Sequence, residues 1–153
     1  MKRIEVKLAL PIVAPLLDVM KGMADSLRQN LAAPIGVGDL DAEFGASWTD
    51  ELLAAQNEDV RLLLALFNEE FFADGVIAFD EENAEPLVRA TAAVRLRLRE
   101  YYLKPLGDES LESGNVELEK LDETLRKAFM CYLFLATIQE LIIQHLDSSI
   151  LES

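Results

Sequence analysis

The chain has 153 residues and is poor in the groups that most often announce a function. Its single cysteine, Cys131, allows no internal disulfide, and its single histidine, His145, rules out a His-based metal cage within one chain. Positive charge is scarce: 14 Lys and Arg face 28 Asp and Glu, for a formal net charge of −14. Such a surface repels phosphate backbones and anionic bilayers, which disfavours nucleic-acid and membrane partners. No uninterrupted apolar run reaches the ~20 residues that span a bilayer. The strongest candidate, residues 128–138, is followed at once by Gln139 and Glu140. Walker-type, Rossmann-type and nucleophile-elbow motifs are absent. Against these gaps stand 51% hydrophobic and 27% charged residues, the balance of one globular domain, expected over residues 1–153, with a sizeable core. A lone reduced thiol points to the cytoplasm. The order of parts at the start, Lys2 and Arg3 before an apolar stretch and Gly22-Met23-Ala24 after it, resembles a secretion signal. Glu5, Lys7, Pro11, Pro15, Asp18 and Lys21 interrupt it and argue against that reading.

Hydrophobic periodicity predicts a mainly α fold: a four-helix bundle-like body, a long C-terminal helix and a small two-stranded β element. Residues 3–8 alternate charged and apolar, with Ile4, Val6 and Leu8 on one side, which predicts a half-buried strand. A lone strand leaves its backbone groups unpaired. Residues 76–79, bounded by Gly75 and Asp80, are the one obvious partner within the chain, the same segment of another subunit being the alternative. Apolar residues at spacings of three and four predict helices at about 11–31, 48–73, 81–103 and 116–147. Pro11 suits a first helical turn, Ser47 or Thr49 caps the second helix, with Trp48 packing at its start, and Asp80 or Asn83 caps the third. Gly75 suits a helix C-terminus.

The last predicted helix would be about 48 Å long at 1.5 Å per residue, against a radius of gyration of about 15 Å for a globule of this size. Its middle, residues 128–143, is apolar on nearly all sides, and a helix apolar all round is buried all round. Three companion helices cover that surface with difficulty. A homodimer is therefore expected, with Phe129, Tyr132, Leu133 and Ile143 in its interface. The bland alternative is the central helix of a monomer core.

Candidate chemistry is sparse. Asp39, Asp41, Glu43, Ser47 and Asp50 follow the rhythm of a calcium loop, but Phe44 stands where its sharp turn needs glycine and Asp50 where it needs a bidentate glutamate. A solvated acidic loop is the better reading. Di-iron bundles need Glu-x-x-His, and the chain has none; Glu140 lies five residues before His145, on another helix face. Cys131 and His145 are ~21 Å apart by helical rise, too far to act as a pair. Neither a metal nor a cofactor is expected, nor a catalytic role.

The third helix is the exception in an acidic chain, with Arg89, Arg95, Arg97, Arg99 and Lys104. Arg89, Arg95 and Arg99 are candidates for an ion-pair or anion site. In the plainer reading they pair with carboxylates of neighbouring helices and fix packing. In the functional reading they hold an anion or an acidic segment. Arg95, between Val94 and Leu96, is expected to be partly buried with its own carboxylate partner.

Several segments together carry a resemblance: Trp48, the run DVRLLLALF at 59–67, Asp80-Glu81-Glu82, Val94-Arg95-Leu96, and LATIQEL at 135–141. From about Trp48 to Leu146 the chain resembles an uncharacterised bacterial domain-of-unknown-function family of small helical proteins. In that family the third helix resembles an Asn-Asp-x-Arg-Leu pattern; here Ala92-Ala93 replace the two polar residues, and the tryptophan expected earlier in that helix is missing. The resemblance implies a helical fold and no particular activity. The expected role is a non-enzymatic cytoplasmic interaction or regulatory protein acting as a homodimer, with an unknown protein partner. The alternative is a small-ligand or anion-binding bundle using the arginines of the third helix.

Overall fold

A computed structural model of the chain describes residues 3–32, 42–113 and 116–146, with the side chains of residues 42–48, 108, 112 and 146 outside that description. The fold is mainly α with a two-stranded antiparallel sheet. Strand β1, Arg3–Lys7, pairs with strand β2, Val76–Asp80, of the same chain, Ile4 opposite Phe79 and Val6 opposite Ile77. Arg3, Glu5 and Lys7 point to solvent, while Ile77 and Phe79 are buried. The backbone N–H of Leu8 donates to the Gly75 carbonyl at 2.7 Å and prolongs the pairing by one rung.

The first predicted helix is broken in two. Helix α1, Leu10–Val13, ends before Pro15, and helix α2, Leu16–Leu27, begins after it. Pro11 lies in a first turn, where its missing N–H is harmless; Pro15 would sit in an interior, where it removes a hydrogen bond and clashes with the preceding turn. The second predicted helix also divides. Helix α3, Ala42–Ala65, starts six residues earlier than expected, so Ser47 and Thr49 lie inside it and not at its N-terminus. Asn68 then starts helix α4, Glu69–Asp74, accepting the Phe71 N–H at 3.3 Å. Gly75 ends α4 in the left-handed conformation, as its position predicts.

Helix α5, Ala84–Tyr101, follows a tight turn in which the Asp80 carboxylate accepts the N–H of Glu82 and of Asn83, and the Asn83 side chain accepts the N–H of Asp80. Between the third and fourth predicted helices, where a polar loop is expected, the chain forms helix α6, Gly107–Ser113. Helix α7, Glu123–Leu146, starts seven residues later than expected, because Asp122 caps it by accepting the Leu125 N–H at 2.8 Å. A 3-10 turn, Leu118–Lys120, precedes the cap, and Arg126 ties that turn back through the carbonyls of Leu118 and Leu121.

Helices α2, α3, α5 and α7 form the bundle. Its centre is α5, which packs against the other three, and not the C-terminal helix. Leu87, Ala90, Val94 and Leu98 of α5 are fully buried, as are Leu63 of α3, Met20 and Leu27 of α2, and Leu135 and Ile142 of α7. Helix α7 runs about 36 Å at 1.5 Å per residue and leans on α2, α5 and β1. By length and composition it passes for a membrane-crossing helix, yet Ala128, Phe129, Cys131, Tyr132, Leu135, Ile138 and Ile142 face the chain's own core. Its outer stripe is Leu133, Thr137, Glu140 and Gln144.

Candidate functional site

The three arginines do not gather into one site, but Arg89 makes the ion pair between helices that the plainer reading expects. Arg89 and Arg95 leave α5 on different sides, Arg89 toward α3 and Arg95 toward α7. Arg89 donates from Nε and Nη2 to the Asp59 carboxylate at 2.9 and 3.1 Å, and from Nη1 to Glu85 at 2.9 Å. The Asp59 bond, with the coulombic pull of both carboxylates, raises the guanidinium above its ordinary pKa against the opposing cost of burial. Its charge is thus matched twice within the chain. Arg99 is half-buried and engaged.

Arg95 is half-buried as expected, but its partners are neutral: it donates from Nη1 to the Gln139 side chain at 2.8 Å and lies 4.4 Å from the centre of the Tyr132 ring. Among the described residues no carboxylate reaches it, and its Nε is buried without a hydrogen-bond partner. The most buried cation is a residue not singled out from the sequence. Arg97 is 7% exposed and donates from Nη2 to the carbonyls of Asn30 and Leu31. The signal was present, since Arg97 continues the core spacing of Leu87, Ala90 and Val94.

The end of α2 receives two more side chains. Gln56 of α3 donates to the carbonyls of Leu27 and Asn30 and accepts the Ala32 N–H, and Asn57 donates to the carbonyl of Arg28. These bonds satisfy carbonyls that a helix end leaves without partners. Arg97 adds a cation where the helix dipole is negative.

Beside this junction lies a groove of about 420 Å³ between α3 and α5. Two leucines, Leu52 at 36% and Leu96 at 43% exposure, stand at its lip. Alanines at 55, 90, 92 and 93 form its wall, and the Asp59–Arg89 pair closes one end. The groove exists because alanines face each other where larger side chains would fill the space between helix axes. Its polar members are already satisfied: Gln56 by backbone groups, Asp59 by Arg89. What remains is an apolar, concave surface in the size range of ligand sites. The paired alanines in α3 and α5 were its only sequence signal.

The proposed dimer residues divide. Phe129 and Tyr132 are 1% and 4% exposed within the single chain, so their burial comes from α2 and α5 and not from a partner. Leu133 is at the surface and Ile143 is half-buried. At Phe129 and Tyr132 the chain itself supplies the cover that the sequence assigns to a second subunit.

Cys131 is fully buried, and desolvation pushes its thiol up to about 12, far from a nucleophile's range. His145 is exposed in the last turn of α7. Among the described residues no three His, Cys, Asp or Glu side chains gather as metal ligands. Asp39 and Asp41 of the calcium-like spacing lie outside the described residues, while Glu43 and Asp50 belong to α3, whose straight helix replaces the loop that spacing would need. No family model, curated protein or solved structure matches the chain, so the resemblance to an uncharacterised helical family has only the residues quoted above behind it.

Proposed function

We propose that the chain is a non-enzymatic interaction protein of the cytoplasm whose working surface is the groove between α3 and α5. The observation that carries this reading is the pair of exposed leucines, Leu52 and Leu96, over a wall of alanines. Apolar surface gathered in a concavity, with its polar atoms already bonded, gains most by being covered. Anion binding at Arg89 has less support, because two carboxylates already hold that guanidinium. Self-association through α7 has no part in the proposal: of its outer stripe, Leu133, Thr137, Glu140 and Gln144, only Leu133 is apolar.

A neutral apolar dye tests the groove. Nile red fluorescence is expected to rise saturably with the wild-type protein and to fall at least fivefold with Ala93→Phe, which fills the concavity, or Leu96→Ser, which makes its lip polar. Equal fluorescence from wild type and both folded variants would refute the site.

A further inference from the structure

We infer that the groove between α3 and α5 takes the apolar face of a basic amphipathic helix from another protein. This rests on the reading of the groove as the working surface and adds what fills it.

The walls decide the backbone form of the occupant. The long walls are helices, so their N–H and C=O groups are bonded internally. Of the non-helical residues beside them, the Ala32 N–H is taken by Gln56 and the Leu31 carbonyl by Arg97, so none of these offers a ladder to an extended peptide. The side chains that could have served instead are committed, Gln56 to the end of α2 and Asp59 to Arg89. An extended segment laid here would bury backbone groups with nothing to bond. A helix arrives with its own hydrogen bonds made.

The dimensions agree. Leu52 to Asp59 on one wall and Arg89 to Leu96 on the other each span about 10 Å, or two helical turns. Side chains three or four residues apart on a helix are about 5–6 Å apart, so two successive apolar anchors fit over Ala55, Ala92 and Ala93.

Charge sets the sign of the flanks. The chain carries −14, and that field draws cationic partners and repels acidic ones, a second copy included. At the groove the lining cation is Arg89, already engaged by Asp59 and Glu85. Glu51 is exposed one turn before Ala55, Glu85 is exposed beside Arg89, and Glu100 is exposed one turn after Leu96. Glu85 and Glu100 are already held by Arg89 and Arg97, so lysines or arginines flanking the anchors of an incoming helix would meet Glu51.

Fluorescence anisotropy with three synthetic 15-residue peptides tests the inference on the full chain. One has a leucine face and lysine flanks, one the same leucine face with glutamate flanks, and one serines in place of the leucines with the lysines kept. The leucine–lysine peptide is expected to bind at least tenfold tighter than either of the others and to displace Nile red. Ala93→Phe and Leu96→Ser should each weaken it at least fivefold, and Glu51→Lys about threefold with a shallower salt dependence. Leu96 is exposed, so Leu96→Ser remains informative if Ala93→Phe misfolds. Equal binding of the serine–lysine peptide would reduce the effect to bare charge and overturn the inference, as would equal binding of the glutamate peptide or indifference to both groove variants. If Nile red binds the groove and the leucine–lysine peptide leaves it in place, the helix partner is refuted while the groove stands. If Nile red does not bind either, the groove reading itself has failed.

Discussion

Gly75 offers a sharp test of how the sheet is joined to the bundle. Its φ is +73°, in the left-handed region, and a Cβ placed there would lie 2.6 Å from the Leu8 carbonyl oxygen. Alanine at 75 therefore faces two costs. The left-handed conformation costs an L-residue about 1–2 kcal/mol. Relieving the contact means moving backbone by roughly half an ångström, at the point where Leu8 N–H donates to the Gly75 carbonyl, a bond worth about 1 kcal/mol. The sum is about 2–3 kcal/mol, or roughly 4–12 °C in Tm for a domain of this size. Gly107 has φ +75° with ψ 156°, a region that glycine alone occupies readily, and nothing lies within 4 Å of its missing Cβ, so Gly107→Ala meets a conformational cost without a contact, about 1–3 kcal/mol. Gly22, exposed inside α2 with open space around it, should gain about 0.5–1 kcal/mol on becoming alanine. Urea unfolding of the three variants against wild type gives the ranking directly. A loss for Gly75→Ala no larger than the roughly 1–2 kcal/mol of the left-handed conformation alone would mean that the close approach of β1 to the end of α4 is wrong.

Gln139→Glu places a carboxylate where Arg95 now has only an amide, and should stabilise the fold by about 1 kcal/mol at pH 7. That gain requires the ionised form, so it should vanish as pH falls through the carboxylate's titration; a loss of stability at pH 7 would show that Arg95 is better served by neutral partners. Cys131 should resist iodoacetamide at pH 8 at a rate set by unfolding, at least about 10³-fold slower than in denaturant. Its folded pKa of about 12 lies above the unfolded value near 9, so the neutral buried thiol gives its full stabilisation below pH 9 and loses it as pH rises toward 12. Cys131→Ala should therefore flatten the alkaline decline in stability, and an unchanged pH profile would remove the desolvation argument.

The elements were legible where periodicity was long and unopposed. The alternation of Ile4, Val6 and Leu8 marked β1, and Gly75 before an apolar tetrapeptide marked β2, while the choice between pairing within the chain and across subunits came from the structure. Boundaries failed where one residue outweighs a pattern: Pro15 splitting α1 from α2, Asn68 separating α3 from α4, Asp122 delaying α7. Burial around α7 was overestimated because an apolar side chain at a half-exposed position reads like one in the core, and Leu133 cannot be told from Leu135 by composition. The groove was nearly invisible beforehand. It is made by what Ala55, Ala92 and Ala93 lack, and an absence of bulk becomes a cavity only when two helices bring such positions face to face.

One oxygen atom carries more geometry than its size suggests. The Asn30 carbonyl accepts from Gln56 at 3.1 Å and from Arg97 at 3.3 Å, so α3 and α5 are both tethered to one point on the chain leaving α2. The gap between those two helices, closed at one end by the Asp59–Arg89 pair, is accordingly also held by this shared point. Anything that loosens the α2 terminus lets the two walls drift apart together, and a residue that never touches an incoming guest can thereby tune how well the guest fits.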